Sequence, residues 1–192
     1  AKKRSAISLP SMRLETLTPG IMEQVGRVRK TSFTVAPEAA SDRLRAVINK
    51  VIDEDVLIDM VGEVFSRGWR NLKFYFMLGL PTEQRADLEA MVDLGSRCLS
   101  RARKHNRSAN ITVSVSSFVP KSHTPFQWEE QIGIEEANRR LQRVGDKCRS
   151  QGIKFKSWPA EVSWLEGVFS RGDRRLFDAV VEAEKRGAGF DS

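Results

Sequence analysis

Residues 71–83 read NLKFYFMLGLPTE and contain the most apolar segment of the chain. The apolar run ends at residue 78, and Gly-Leu-Pro-Thr-Glu follows at 79–83. A nearly continuous apolar strand is typical of a parallel sheet that is covered by helices. Glycine and proline directly after it indicate a tight and rigid turn. This segment therefore predicts a buried parallel strand, followed by a rigid loop with a role beyond joining the strand to the next helix.

Further strand-like segments recur along the chain at intervals suited to β/α units. They begin near residues 5, 31, 71, 110 and 153, and helical patterns separate them. A βαβ unit takes about 30 residues or more, so this rhythm predicts parallel strands. A doubly wound sheet and a β/α barrel both fit. The barrel is preferred because the sequence has neither G-x-G-x-x-G nor G-K-[ST].

The predicted fold class is α/β, as a partial, TIM-like (β/α) barrel of parallel strands over residues 1–158. A C-terminal helical segment, 159–192, is expected to pack on it. Trp128, Trp158 and Trp164 are the residues expected to make that contact.

Composition narrows the class of protein. The 192 residues carry a net charge of +7 and two cysteines, Cys98 and Cys148. So few cysteines exclude a disulfide scaffold and favour a reducing, cytoplasmic setting. The sequence shows no signal peptide and no apolar run of about 18 residues, so no membrane partner is expected. The basic charge favours anionic partners such as RNA. A solvated basic surface is the preferred explanation, because the basic residues are spread along helices without interleaved aromatic residues.

The ends of the predicted strands combine proline with polar groups. These ends are 10–13, 36–39, 79–83 and 118–126. In β/α barrels the active site lies at the carboxyl ends of the strands. Here Gly79 is expected to let a ligand approach the backbone. Glu83 is expected to cap the helix that follows.

Three of these segments resemble a known family. SFTVAPEAASDRLRAVINK (32–50), FYFMLGLPTE (74–83) and SSFVPKSHTPFQW (116–128) resemble the fourth, fifth and sixth barrel strands of radical S-adenosylmethionine enzymes. The likeness is to the methylthiotransferase-like and Elongator-like groups. The likeness extends to bacterial iron–sulfur oxidoreductases, some of which are fused to a cobalamin-binding-type domain. The tail of this chain, 165–176, also resembles that subgroup.

One departure from the family pattern limits what this chain can do. The family binds its [4Fe-4S] cluster through C-x-x-x-C-x-x-C, and neither cysteine here has that spacing. The resemblance implies that the chain is the C-terminal part of such a domain. S-adenosylmethionine and the cluster would belong to the parent enzyme, with cobalamin as a further candidate. The chain alone is expected to hold no cluster, to contain no catalytic residue and to be inactive.

The resemblance also implies roles for individual residues. Glu38 would accept hydrogen bonds from the ribose of S-adenosylmethionine, or is simply a carboxylate near a helix N-terminus. The residues expected around adenine are Phe76, Leu78, Gly79, Leu80, Val119 and Pro120. Core packing is the alternative for Phe76. Arg13 and His123 are speculative substrate contacts, or else ordinary surface residues.

The expected partners follow from the same picture. They are the missing N-terminal part of the domain and an unidentified substrate. A dimer through the exposed edge of the predicted strand 5–10 is also expected, since an unpaired edge invites pairing. Two other functions stay open, namely a basic RNA-binding module of a tRNA-modifying protein and a catalytically inert β/α scaffold.

Overall fold

A computed structural model describes residues 19–26 and 32–189. Its strands are β1 (Phe33–Glu38), β2 (Asn71–Leu78), β3 (Asn110–Ser117) and β4 (Lys154–Ser157). All pair in parallel, in the order β1-β2-β3-β4. The prediction of parallel β/α units is confirmed, while closure into a barrel stays a prediction. The predicted strand 5–10, the dimer edge on it and Arg13 lie outside the described residues.

Seven helices are described, and five of them follow the strands or connect them. They are α1 (Pro19–Gly26), α2 (Asp42–Val47), α3 (Glu54–Ser66), α4 (Arg85–His105), α5 (Ile134–Ser150), α6 (Ala160–Arg171) and α7 (Leu176–Lys185). Their starts have local causes. Asp53 caps α3 by accepting the amide protons of Asp55 and Val56. Gln84 and Asp87 form a capping box at α4.

The sheet has one covered face and one open face. On β3, Ile111, Val113 and Val115 are buried, whereas the residues between them are partly exposed. The buried set packs with apolar residues of α3, α4 and α5 into the main core. Because side chains alternate across a strand, the other set forms a second surface. Tyr75 of β2 lies on that open face with 38% of its surface exposed.

The C-terminal segment packs less than the sequence analysis predicts. Helix α6 contacts α5 and β3, but α7 has no buried residue. The role predicted for the tryptophans is wrong, since Trp128, Trp158 and Trp164 are 89%, 49% and 47% exposed. The reason is that α6 approaches through its small residues, Ala160, Ser163 and Gly167. None of the described helices has the length and apolar character that crossing a membrane requires.

Candidate functional site

The loops after β1, β2 and β3 meet at the carboxyl edge of the sheet. A small apolar cluster, separate from the main core, joins them. It contains Ala39 from the first loop, Leu80 from the second and Phe118 from the third, with Leu44 of α2. The sequence prediction that these segments share one rim is supported by this contact. Leu80 itself is buried in the cluster, so its side chain holds the loops together.

A polar network locks the first loop to the second. Asp87 is almost fully buried and accepts hydrogen bonds from the Ser41 hydroxyl, the Arg43 guanidinium and the Gln84 amide. Arg43 also donates to Thr82, at 3.1 Å to Oγ1 and 2.9 Å to the carbonyl oxygen. Burial alone would raise the pKa of Asp87, but these hydrogen bonds hold it below its ordinary value. The Ser-Asp-Arg segment therefore has a structural role in this chain.

Glu83 has a role different from the one predicted, through a contact with Gly79. The Gly79 amide donates to Glu83 Oε2 at 2.9 Å, and Arg140 of α5 donates to Oε1 at 2.8 Å. Glu83 thus stabilises its own loop through the Gly79 amide, and the N-cap of α4 is Gln84 rather than Glu83. A Cβ on Gly79, whose φ is +81°, would lie 2.8 Å from Ile132 Cγ2. Ile132 therefore occupies the space that a side chain at position 79 would need, and the predicted approach of a ligand to the Gly79 backbone stays a prediction.

A groove of about 550 Å³ opens beside this rim, on the open face of the sheet at the ends of β2, β3 and β4. We call it the strand-end groove. Its walls are mostly apolar and combine three strand residues with the third loop, the segment after β4, and α6. The lining residues are Met77, Ser116, Ser117, Phe118, Val119, Lys121, Thr124, Phe126, Trp158, Ser163 and Glu166.

The groove has both fixed polar contacts and one orphaned hydroxyl. Lys121 pairs with Glu166 of α6 and also donates to Ser170 Oγ at 3.1 Å. The Ser122 hydroxyl donates to the Ser170 carbonyl oxygen at 2.8 Å, so the third loop is tied to α6 at two points. Ser117 is 6% exposed, and its Oγ has no hydrogen-bond partner within the described chain. A buried hydroxyl without a partner costs free energy that a polar ligand atom would recover.

The predicted adenine residues divide into two groups. Val119 lines the groove. Phe76 and Leu78 are 1% and 0% exposed in the main core, so their side chains do not reach the groove. The alternation of β2 turns these two residues toward the helices, as in the core-packing alternative for Phe76. Pro120 is buried and lies outside the lining set.

Glu38 and His123 occupy strained rim positions. Glu38 ends β1 at an irregularity in the β1–β2 register, and its Oε1 lies 3.3 Å from Lys50 Nζ. His123 is exposed in the third loop, where its amide donates to Gln127 Oε1 at 3.3 Å. Glu38, Thr82 and His123 all have φ between 63° and 66°. Non-glycine residues rarely adopt this conformation, and it clusters at functional sites.

Nothing in the described chain fits an iron–sulfur cluster. No group of three or more His, Cys, Asp or Glu within 19–26 and 32–189 could hold a metal ion. Both cysteines are buried, and burial raises the pKa of Cys98 to about 12 and that of Cys148 to about 11. The two cysteines also lie on different helices, α4 and α5, and two thiols are fewer than the three that the family motif supplies.

The sequence analysis missed most of the groove. Met77 and Ser116 were detectable, because they alternate with buried positions on their strands and so face the opposite side. Trp158 follows the end of β4, and examining that strand end like the other three would have found it. The contribution of α6 has no comparable signal, since Ser163 and Glu166 belong to a helix rather than to a strand end.

Comparison with known proteins shows a similarity over most of the chain. The chain is similar to an uncharacterized protein of Methanocaldococcus jannaschii, with 29% identity over 170 residues. The match covers 88% of this chain and 36% of the relative, so the chain spans about a third of that protein's length. No protein-family model matches the chain.

Proposed function

We propose that this chain is a segment of a radical S-adenosylmethionine enzyme, an iron–sulfur oxidoreductase of unidentified substrate. The strand-end groove would hold the adenosyl part of S-adenosylmethionine. The observation that carries this proposal is the meeting of the three motif-bearing loops in one apolar cluster beside that groove. In such enzymes the cluster and S-adenosylmethionine together supply radical hydrogen-atom abstraction.

The groove offers groups suited to a nucleoside. Met77, Phe118 and Val119 provide apolar walls for a planar base, and the half-exposed Trp158 provides an aromatic surface. The unpartnered Ser117 hydroxyl can bond a polar atom of the ligand. Glu38 lies at the end of β1, next to the strand that carries Met77, where its carboxylate would accept ribose hydroxyl protons. Together these residues would orient the adenosyl group and exclude water from it.

The iron–sulfur cluster itself does not fit the residues described here, so its ligands would come from elsewhere in the enzyme. The match to a third of a longer relative is consistent with a segment of this kind working inside a larger protein. Within this proposal, the chain contributes binding and position, and the contribution of cobalamin stays open.

The test uses a longer gene product that contains this segment together with C-x-x-x-C-x-x-C. After reconstitution with iron and sulfide, we expect visible absorbance from the thiolate-bound cluster and release of 5′-deoxyadenosine from S-adenosylmethionine. Val119→Asp should keep the cluster absorbance and weaken S-adenosylmethionine binding about tenfold or more, an effect of about 1.4 kcal/mol. Val51→Asp is the matched control, because Val51 is 88% exposed and outside the groove.

Three results would contradict the proposal. The first is a longer gene product without the cysteine motif. The second is a reconstituted protein with intact cysteines that gives neither cluster absorbance nor 5′-deoxyadenosine. The third is equal S-adenosylmethionine binding by the Val119→Asp and Val51→Asp variants, which would place the cofactor outside the groove.

A further inference from the structure

The open face of the sheet carries an ordered pattern of lysines and hydroxyls. The strand register places Thr34, Lys73, Thr112 and Lys154 in one row across all four strands. The next row toward the carboxyl edge contains Tyr75, Ser114 and Lys156. Neighbouring strands lie about 4.8 Å apart, so Lys73 and Lys154 are about 10 Å apart with Thr112 between them. We call these two rows the lysine rows.

The charges of the lysine rows are not balanced by acidic side chains. No ion pair joins Lys73, Lys154 or Lys156 to a carboxylate in the part of the chain that the structure describes. Elsewhere, Lys50, Lys121 and Lys147 each pair with a glutamate. Lys73 instead has its ammonium 5.3 Å from the centre of the Tyr75 ring, within the range of a cation–π contact. That contact holds the ammonium on the open face without neutralising it.

The hydroxyls on the same face add neutral donors between the cations. Thr112 lies between Lys73 and Lys154, and Ser114 lies between Tyr75 and Lys156. Within the part of the chain that the structure describes, neither the Thr112 nor the Ser114 hydroxyl forms a hydrogen bond to another residue. Three flexible ammonium groups around two free hydroxyls match a group with two negative charges and several acceptor oxygens. A solvated basic surface needs no such alignment.

We propose that the lysine rows bind a phosphate group. The ligand is a free molecule with a terminal phosphate, the group that carries two negative charges. A single-stranded RNA, whose backbone phosphates carry one charge each, is the other outcome of the test. The site is distinct from the strand-end groove, since Met77 and Ser116 form a further row beyond Tyr75 and Ser114. The inference goes beyond the proposed function and does not depend on it.

The test measures binding to the 192-residue chain by calorimetry at low salt. The probes are inorganic pyrophosphate and a 12-nucleotide oligouridylate. A variant with Lys73→Gln, Lys154→Gln and Lys156→Gln should bind the preferred probe at least tenfold more weakly than the unmodified chain. The control carries Lys104→Gln, Lys147→Gln and Arg143→Gln, which lower the net charge equally but lie on α4 and α5, the helices that pack on the covered face. The control variant should bind the same probe with an affinity within about twofold of that of the unmodified chain. It loses only the general, salt-dependent attraction of a basic protein for an anion.

A second variant checks that the loss of binding in the triple variant is not caused by misfolding. Lys156→Glu inverts one charge at an exposed position and should also weaken binding at least tenfold. If pyrophosphate binds in a lysine-dependent way, the ligand is a free phosphorylated molecule. If only oligouridylate does, the ligand is RNA. Equal losses in the test and control variants, or no binding of either probe at low salt, would overturn the inference.

Discussion

Asp87 joins the first two rim loops through a buried charge. Its folded pKa lies below the ordinary value, so the stability it contributes is present above the unfolded pKa and is lost as the pH falls through the folded pKa. Asp87→Asn should lower the free energy of unfolding by about 2 kcal/mol at pH 7. The difference in the free energy of unfolding between Asp87→Asn and the unmodified chain should become smaller below about pH 4. Urea titrations across this range measure both effects.

Asp93→Asn is the control for this prediction. Asp93 is 68% exposed on the same helix and lies 3.7 Å from Arg97, a surface pair expected to contribute little. If Asp87→Asn and Asp93→Asn have the same free energy of unfolding at pH 7, the polar network around Asp87 stabilises the protein no more than a surface ion pair does.

Glu83 should show the opposite dependence on pH. Its burial raises the pKa despite the hydrogen bonds from Arg140 and the Gly79 amide. The contribution of the protonated form is therefore present below the unfolded pKa and is lost as the pH rises through the folded pKa. Glu83→Gln should remove this dependence, but it keeps only one of the two acceptor oxygens, and its NH2 group faces either the Gly79 amide or Arg140. We therefore expect a loss of about 1–2 kcal/mol at pH 7.

Glu83→Ala separates the acceptor from the charge. It leaves the Gly79 amide and the Arg140 guanidinium without their acceptor, so we expect a loss of about 2–3 kcal/mol in urea unfolding at pH 7. Equal stability of the Gln and Ala variants would show that the acceptor has no such role.

At this scale, sequence reasoning identified Glu83 but not its partner, and it did not identify Asp87. It placed Glu83 at a helix start because the nearest positive dipole along the chain lies there. The actual partner, Arg140, is 57 residues away and lies on α5. Likewise, Asp87 meets Ser41 and Arg43 only after the first two loops come together. Local patterns do not encode contacts of this separation.

The loops after β2 and β3 meet where Gly79 faces Ile132. Gly79→Ala should combine the strain of a positive φ with a contact of 2.8 Å to Ile132 Cγ2, for a total loss of about 2–4 kcal/mol. Gly152→Ala is the matched control. Gly152 has φ +72°, but its nearest neighbour would be 3.6 Å away, so only the strain of about 1–2 kcal/mol applies.

A double variant tests the steric part directly. In an Ile132→Ala background, Gly79→Ala should cost no more than Gly152→Ala, as measured by urea unfolding of all four combinations. A cost of Gly79→Ala that is unchanged by Ile132→Ala would contradict the contact between the loops.

The order and type of the secondary structure elements followed from the sequence, because apolar periodicity is a local property. The strands at 71–78 and 110–117 and the helix at 134–150 lie where the pattern predicts them. The packing of the tail did not follow. The tryptophans were expected to pack the tail onto the sheet, but α6 uses its small residues, and Trp164 stays 47% exposed.

The described molecule is a sheet with helices on one side, and its two faces should respond differently to substitution. Ile111 is fully buried between β3 and the helices, so Ile111→Ala should lower the free energy of unfolding by about 2–5 kcal/mol. The next residue, Thr112, lies on the open face. Thr112→Val preserves the shape and the β-branching that favours strands, and should change stability by less than about 0.5 kcal/mol. Guanidinium unfolding of both variants compares the faces. A loss above about 1.5 kcal/mol for Thr112→Val would mean that the hydroxyl is buried and bonded, and that the open face is covered in solution.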